Sequence, residues 1–177
     1  STASDSRQGG EIFDAFVSYS PQDAMFVQQI LGKELEAVCG YRVCLQHRDL
    51  PHLSCCSDTV GQVAEASRAT ILVLSSNYLA TEWAELDYRS GLLPVLQNPQ
   101  QPVLVVLLGS PEQALLYPGV RQLLAGRALL QWGDSQFWPR LQAALPRLAR
   151  DQDSHYYSVC QFPPNMGQHL SQLISHI

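Results

Sequence analysis

Charge is scarce in this chain. Asp, Glu, Lys and Arg make up 15% of its 177 residues, against about 25% in an average soluble domain. The basic side consists of one lysine, Lys33, and ten arginines spread without a run, and the formal net charge is −5. A nucleic-acid binder gathers its cations into a patch or stripe, so no nucleic-acid partner is expected. Long apolar runs are missing as well. Val103 to Leu108 is six residues long and Gly109 follows it, whereas a bilayer span needs about 20. Cysteine is sparse and odd in number, with Cys39, Cys44, Cys55, Cys56 and Cys160 and no C-x-x-C spacing. Neither a disulfide framework nor a zinc ribbon is indicated, and a reducing compartment is the simple expectation. No G-x-G-x-x-G and no G-x-x-x-x-G-K-[ST] occurs, which excludes the dinucleotide-binding Rossmann and P-loop readings.

What is present is an alternation of β-forming apolar runs with amphipathic stretches, the pattern of a parallel sheet with helices on its faces. Five strands are predicted: Ile12 to Ser18, Arg42 to Leu45, Ala69 to Leu74, Pro102 to Leu108 and Arg127 to Gln131. The third and fourth are nearly continuous Val, Ile and Leu, as befits central strands covered on both faces. Ser20-Pro21-Gln22-Asp23 combines an N-cap serine, a proline at the first helical position and an acid three residues after the cap. The helix it opens carries Val27, Ile30, Leu31, Leu35 and Val38 inward and ends at Gly40. Further helices are predicted from about Thr59 to Arg68 and from about Asn77 to Leu93, the latter capped by Ser75 or Ser76. Broken or short helices are predicted across Pro111 to Ala125, where Tyr117-Pro118-Gly119 signals a turn. A last helix starts near Ser135 and is ended or kinked by Pro146.

The expected domain is 12–149. Residues 1–11, small and polar with no signal-peptide pattern, read as a linker. Residues 150–177 read as a flexible tail, although Leu170, Leu173, Ile174 and Ile177 would share one helical face.

The candidate chemistry is thin. His47, His52, Cys55 and Cys56 fall within ten residues, but vicinal cysteines do not readily give two ligands to one tetrahedral metal, and no metal site is assigned. A thiol nucleophile would need a base and an oxyanion site that spacing does not reveal. A phosphate-accepting receiver would need an acceptor Asp after the third strand, where the chain has Leu74-Ser75-Ser76.

Three separated blocks resemble the Toll/interleukin-1 receptor (TIR) family: Phe13-Asp14-Ala15-Phe16-Val17-Ser18-Tyr19-Ser20, then Arg42-Val43-Cys44-Leu45-Gln46-His47-Arg48-Asp49, then Phe137-Trp138. Leu74-Ser75-Ser76-Asn77-Tyr78 and Glu82-Trp83 are similar to the family's third strand and the helix after it. The resemblance runs from about Ile12 to Leu148 and is most like the cytoplasmic domain of a Toll-type receptor. It implies a flavodoxin-like α/β fold, a five-stranded parallel sheet of order 2-1-3-4-5 with helices on both faces.

The implied activity is signalling by homotypic TIR–TIR association and adaptor recruitment, as part of a single-pass receptor on the cytoplasmic side of the plasma or endosomal membrane. The membrane-spanning segment would lie outside this chain. A soluble adaptor is the alternative of the same class. The expected partners are TIR domains of the same receptor and of adaptors, with no cofactor. The segment from Arg48 to Cys56 reads as a projecting loop and resembles the family's contact-making BB loop. Contacts are accordingly expected from Arg48, Asp49, Leu50, Pro51, His52 and Leu53, and from a helix face bearing Glu82, Glu85 and Arg89. This loop departs from the family's usual R-D-x-x-P-G, since His52 and Leu53 stand at the proline and glycine positions. The motif residues Phe13, Asp14, Ser18, Tyr19, Phe137 and Trp138 read as mainly structural, with Asp14 holding a neighbouring loop through hydrogen bonds.

Some TIR domains cleave NAD with a helical glutamate a few residues beyond a tryptophan. The matching position here is Asp87, in Trp83-Ala84-Glu85-Leu86-Asp87. Its carboxylate is one methylene shorter, and a misplacement of about 1 Å can cost ~100-fold in rate. The expectation is no enzymatic activity.

Overall fold

The computed structural model describes residues 13–50, 57–114, 116–117 and 119–145. Five parallel strands form one sheet in the order β2-β1-β3-β4-β5: β1 Phe13–Ser18, β2 Val43–Leu45, β3 Ser67–Leu74, β4 Val103–Leu107 and β5 Ala128–Gln131. Registers such as Phe16 opposite Thr70 and Leu72 opposite Val105 place β1, β3 and β4 in the interior of the sheet.

Side chains alternate across the sheet as the two-residue period of a strand requires. Ala15 and Val17 of β1, Ile71 and Val73 of β3, and Leu104 and Val106 of β4 join one core, while Phe16, Leu72, Leu74, Val103, Val105 and Leu107 join the other. The first core is closed by α1, residues 21–38, and α8, Phe137–Ala144. Its edge is an aromatic cluster in which Trp132 meets Phe26, Phe137 and Trp138 edge-on at 4.9, 4.9 and 5.8 Å. Phe137 and Trp138 are therefore buried packing residues.

The predicted start of α1 is realised: Ser20 Oγ accepts from the backbone N–H of Gln22, with Pro21 in the first turn. Gly40 follows with φ +71°, a backbone region that favours glycine. Within α1 the bonding widens to i→i+5 over Val27–Leu31 and Glu34–Val38.

The second core is closed by α3 Ser57–Glu65, α4 Ser76–Ala80, α5 Leu86–Gln97, α6 Pro111–Ala114 and α7 Val120–Leu124; α2, Gln46–Asp49, is a single turn after β2. The helices α3 and α5 cross closely at glycines, and a Cβ on Gly61 would lie 2.6 Å from the carbonyl oxygen of Gly91.

Two helix expectations are corrected. The helix predicted to reach Arg68 stops at Glu65, because β3 already begins at Ser67 and pairs with Phe13. The helix predicted from Asn77 to Leu93 is two helices, α4 and α5, separated by a turn over residues 81–84. Pro94 lies inside α5. An interior proline costs about 3 kcal/mol, and the burial of Leu92, Val95 and Leu96 around it offsets that cost. The short helices predicted across the fourth crossover are α6 and α7. Leu145 leaves α8 in an extended conformation, as a residue preceding proline favours. The predicted linker and tail lie outside the described residues.

Candidate functional site

In an open α/β sheet the strand order reverses at one point, here between β1 and β3, and the carboxyl ends of the strands there form the usual site of function. Ser18 ends β1, and its hydroxyl is fully buried against Tyr78 of α4, at 2.9 Å, and against Tyr88 of α5. The Tyr88 hydroxyl donates to Gln46 Oε1 at 2.6 Å, and Gln46 Nε2 donates to Glu82 Oε2 at 2.9 Å. Direction follows from the donor inventory. A carboxylate only accepts, so the Gln46 amide nitrogen faces Glu82. The single Tyr88 proton is then committed to the amide oxygen, so Ser18 donates to Tyr88 and Tyr78 donates to Ser18. Burial pushes both phenols well above the ordinary tyrosine range, so both remain neutral.

Beside this relay Tyr19, also fully buried, accepts from Gln28 Nε2 and from the backbone N–H of His47, each at 3.1 Å. His47 Nε2 lies 2.8 Å from the Tyr19 carbonyl oxygen and 3.4 Å from Glu82 Oε1. Glu82 thus receives α2 through two consecutive residues, Gln46 and His47. A second junction joins the start of α1 to α4: the two carboxylate oxygens of Asp23 accept from Ser75 Oγ and Asn77 Nδ2. Ser75 in turn caps α4 by accepting from the N–H of Tyr78.

The sequence-predicted residues fall on both sides of the Glu82 junction. Arg48 and Asp49, expected at the start of a loop, are the last two residues of α2. Their charges are engaged within the chain. Arg48 pairs with Glu36 at 2.7 Å and with Asp49 at 2.9 Å, and these carboxylates raise its pKa. Asp49 also accepts from the N–H of Leu45 at 2.8 Å. Burial alone would raise its pKa, but the hydrogen bonds from Arg48 and Leu45 outweigh burial and hold it below the usual value. Leu50, expected to project, is half-buried and packs against the second core. Pro51, His52 and Leu53 lie outside the described residues, as do Cys55 and Cys56.

Glu82 is in the turn between α4 and α5, Glu85 is the exposed N-cap of α5, and Arg89 lies on α5 with its guanidinium 5.7 Å above the ring of Trp83. Asp87 is exposed in the first turn of α5. The expected geometry, one helix carrying both Trp83 and Asp87, does not occur, because Trp83 sits in the turn and its backbone N–H donates to the carbonyl of Tyr78.

Among the motif residues, Asp14 is buried and accepts from the N–H of Arg42 at 2.8 Å, holding the approach to β2 against β1; Phe13 packs beside the second core. Among the described residues no group of three or more His, Cys, Asp or Glu is placed to hold a metal ion. Cys44 is a buried free thiol, pushed up to about 12 chiefly by burial. Spacing did not single out Tyr88, Gln46 or Asp23 as parts of these junctions, and no local signal marks them.

The family model described as "TIR domain" matches residues 15–148, which include β1 from Ala15 onward, the Glu82 junction and the aromatic cluster. The chain belongs to the TIR domain family. Its similar relatives include the Single Ig IL-1-related receptor of Mus musculus, 34% identical over 150 residues, which cover 78% of this chain and 36% of that protein. Protein toll of Drosophila melanogaster is 32% identical over 138 residues, covering 76% of this chain and 12% of that one. Human Toll-like receptor 4 is 31% identical over 147 residues, covering 78% and 18%. The chain therefore spans between 12% and 36% of the length of these relatives.

Among solved structures, a TIR-STING receptor of C. gigas, described in complex with 2',3'-cGAMP, superposes with a TM-score of 0.60 at 26% identity, covering 78% of this chain and 41% of that one. The TIR domain of the Toll-related receptor TRR-2 of Hydra magnipapillata superposes with a TM-score of 0.57 at 21% identity, covering 75% and 98%, a likeness of fold. Among the described residues of this TIR domain no helix is long and apolar enough to cross a membrane.

Proposed function

We propose that this TIR domain is the signalling module of a Toll-type receptor and works by associating with other TIR domains, those of its own receptor and of adaptors, without catalysis. The observation that carries this reading is the Glu82 junction. Because Glu82 binds Gln46 and faces His47, α2, which ends in Arg48 and Asp49, and the α4–α5 turn are held in fixed relation. Among the described residues, two segments expected to make contacts thus lie side by side. Around the turn, Glu85, Leu86 and Asp87 are all exposed, Leu86 by 63%. An exposed leucine beside two carboxylates suits a partner patch that is apolar with a basic rim. The Arg48 charge is already answered by Glu36 and Asp49, so its expected role is to hold the loop root rather than to meet the partner.

In this reading the domain lies on the cytoplasmic side of a membrane, carried by a spanning segment elsewhere in the receptor. Ligand-driven proximity raises the effective concentration of weak contacts until adaptors are recruited. The absence of catalysis is supported by the exposed setting of Asp87 and its separation from Trp83 by the helix break.

Two measurements test the proposal. In a pull-down with an adaptor TIR domain, Glu85→Lys with Asp87→Lys is expected to abolish capture, and Glu82→Gln to weaken it several-fold by loosening the junction; undiminished capture by both variants would refute this surface. In an NAD-cleavage assay at high protein concentration no turnover is expected. Turnover lost in Asp87→Ala would make this an enzyme.

A further inference from the structure

Glu85, Leu86 and Asp87 are exposed where α5 begins, and one buried side chain grips this segment on both flanks. Glu82 precedes it in the turn and Tyr88 directly follows it. Both bond to the Gln46 amide: Nε2 donates to Glu82 Oε2 at 2.9 Å, and Oε1 accepts from the Tyr88 hydroxyl at 2.6 Å. Gln46 is fully buried and Tyr88 is 6% exposed, so solvent does not stand in for either bond.

The two partners also fix the sense of the amide. Turned over, it would set Oε1 against the Glu82 carboxylate, acceptor against acceptor. Gln46 itself is referred to the sheet, since it follows directly on Leu45, which pairs with Val17, and its carbonyl accepts from the Leu50 N–H at 2.9 Å. The exposed segment is therefore located by a group that never reaches the surface. We propose that Gln46 is the positioning residue of this contact segment, setting where Glu85, Leu86 and Asp87 stand for a partner TIR domain without touching the partner. The role rests on the reading of function given above. A segment already held in its contact geometry loses less freedom on association. Ser18 gives the contrast: it belongs to the same buried relay but lies on the far side of Tyr88, so removing its hydroxyl leaves both bonds of Gln46 in place.

The test uses the 177-residue chain, with one copy coated densely on beads and a second, soluble copy as the probe. Gln46→Met keeps the length of the side chain and removes the amide. It is expected to move the backbone amide resonances of Glu85, Leu86 and Asp87 and to weaken retention about fivefold, the affinity equivalent of one net hydrogen bond. Tyr88→Phe, which frees one flank and supplies the measurement where Gln46→Met does not fold, is expected to do the same to a smaller extent. The double variant is expected to lose no more than Gln46→Met alone, because Tyr88 acts through Gln46. Ser18→Ala is expected to leave the three resonances and the retention unchanged although it lowers stability. The remaining amide resonances report the fold of each variant. Still resonances with full retention in folded Gln46→Met or Tyr88→Phe, an equal loss in Ser18→Ala, or losses that add in the double variant would each overturn the proposal. Parent copies that are not retained at all would instead refute the reading of function, and resonances that stay still in Gln46→Met would then overturn the grip as well.

Discussion

At the scale of single residues, Glu34 carries a cost that depends on pH. It is 6% exposed on α1 and its Oε2 meets no donor among the described residues. Burial raises its pKa, and the neighbouring charge of Lys33 opposes this only in part. The folded state therefore binds the Glu34 proton more tightly than the unfolded chain does. Stability falls as pH rises from the ordinary glutamate range through the raised folded value, and the deficit is complete above it. Glu34→Gln and the parent are expected to melt alike near pH 4. At pH 8 the variant should melt higher by about 2–4 °C for each kcal/mol recovered, by differential scanning calorimetry. The relay makes a second prediction. Tyr88→Phe leaves the buried Gln46 Oε1 without its donor and Ser18 without its acceptor. Urea unfolding should show a loss of about 1–3 kcal/mol for such a buried group, whereas Tyr117→Phe at a residue 40% exposed should be neutral. None of this is legible locally, because Ser18 lies 60 and 70 positions from its tyrosines and Tyr88 lies 42 from Gln46.

At the scale of elements, the break between α4 and α5 is where periodicity misled. Residues 77–93 contain no proline and mostly good helix formers, so local propensity continues the helix. Tertiary bonding stops it: Thr81 leaves helical geometry at ψ −86°, Glu82 turns toward Gln46 and His47, and Trp83 tucks into the second core. The crossing of α3 and α5 is a case where two magnitudes compete. Replacing a mid-helix glycine by alanine gains up to about 1 kcal/mol in helix propensity. At Gly61 the added methyl would stand 2.6 Å from a backbone carbonyl oxygen that cannot swing aside, and overpacking of this kind costs typically about 1–3 kcal/mol. Gly61→Ala is thus expected to lower the urea midpoint; a rise would mean that the two helices separate easily.

At the scale of the whole molecule, association should be weak in the isolated domain, because around the α4–α5 turn the described residues expose one leucine, Leu86, beside the like charges of Glu85 and Asp87. Sedimentation velocity is expected to show a monomer in dilute solution, with self-association appearing only on concentration; a tight dimer when dilute would contradict a proximity-driven module. The architecture itself is legible in the chain's local patterns. Unbroken apolar runs such as Ala69 to Leu74 can be satisfied only by a sheet covered on both faces, and Ser20-Pro21 starts a helix from chemistry contained in four consecutive residues. The sequence by itself therefore determined the five strands, the first helix with its cap and glycine stop, and the family motifs, since each rests on neighbours in the chain. Tertiary structure alone decided that α4 and α5 separate, that Arg48 and Asp49 are spent within α2 and on Glu36, and that Glu82 joins the loop root to the turn. It also decided that the Arg89 guanidinium rests over the Trp83 ring. Those outcomes depend on which polar groups meet when distant segments pack, and an unmet buried donor or charge costs more than local propensity can recover.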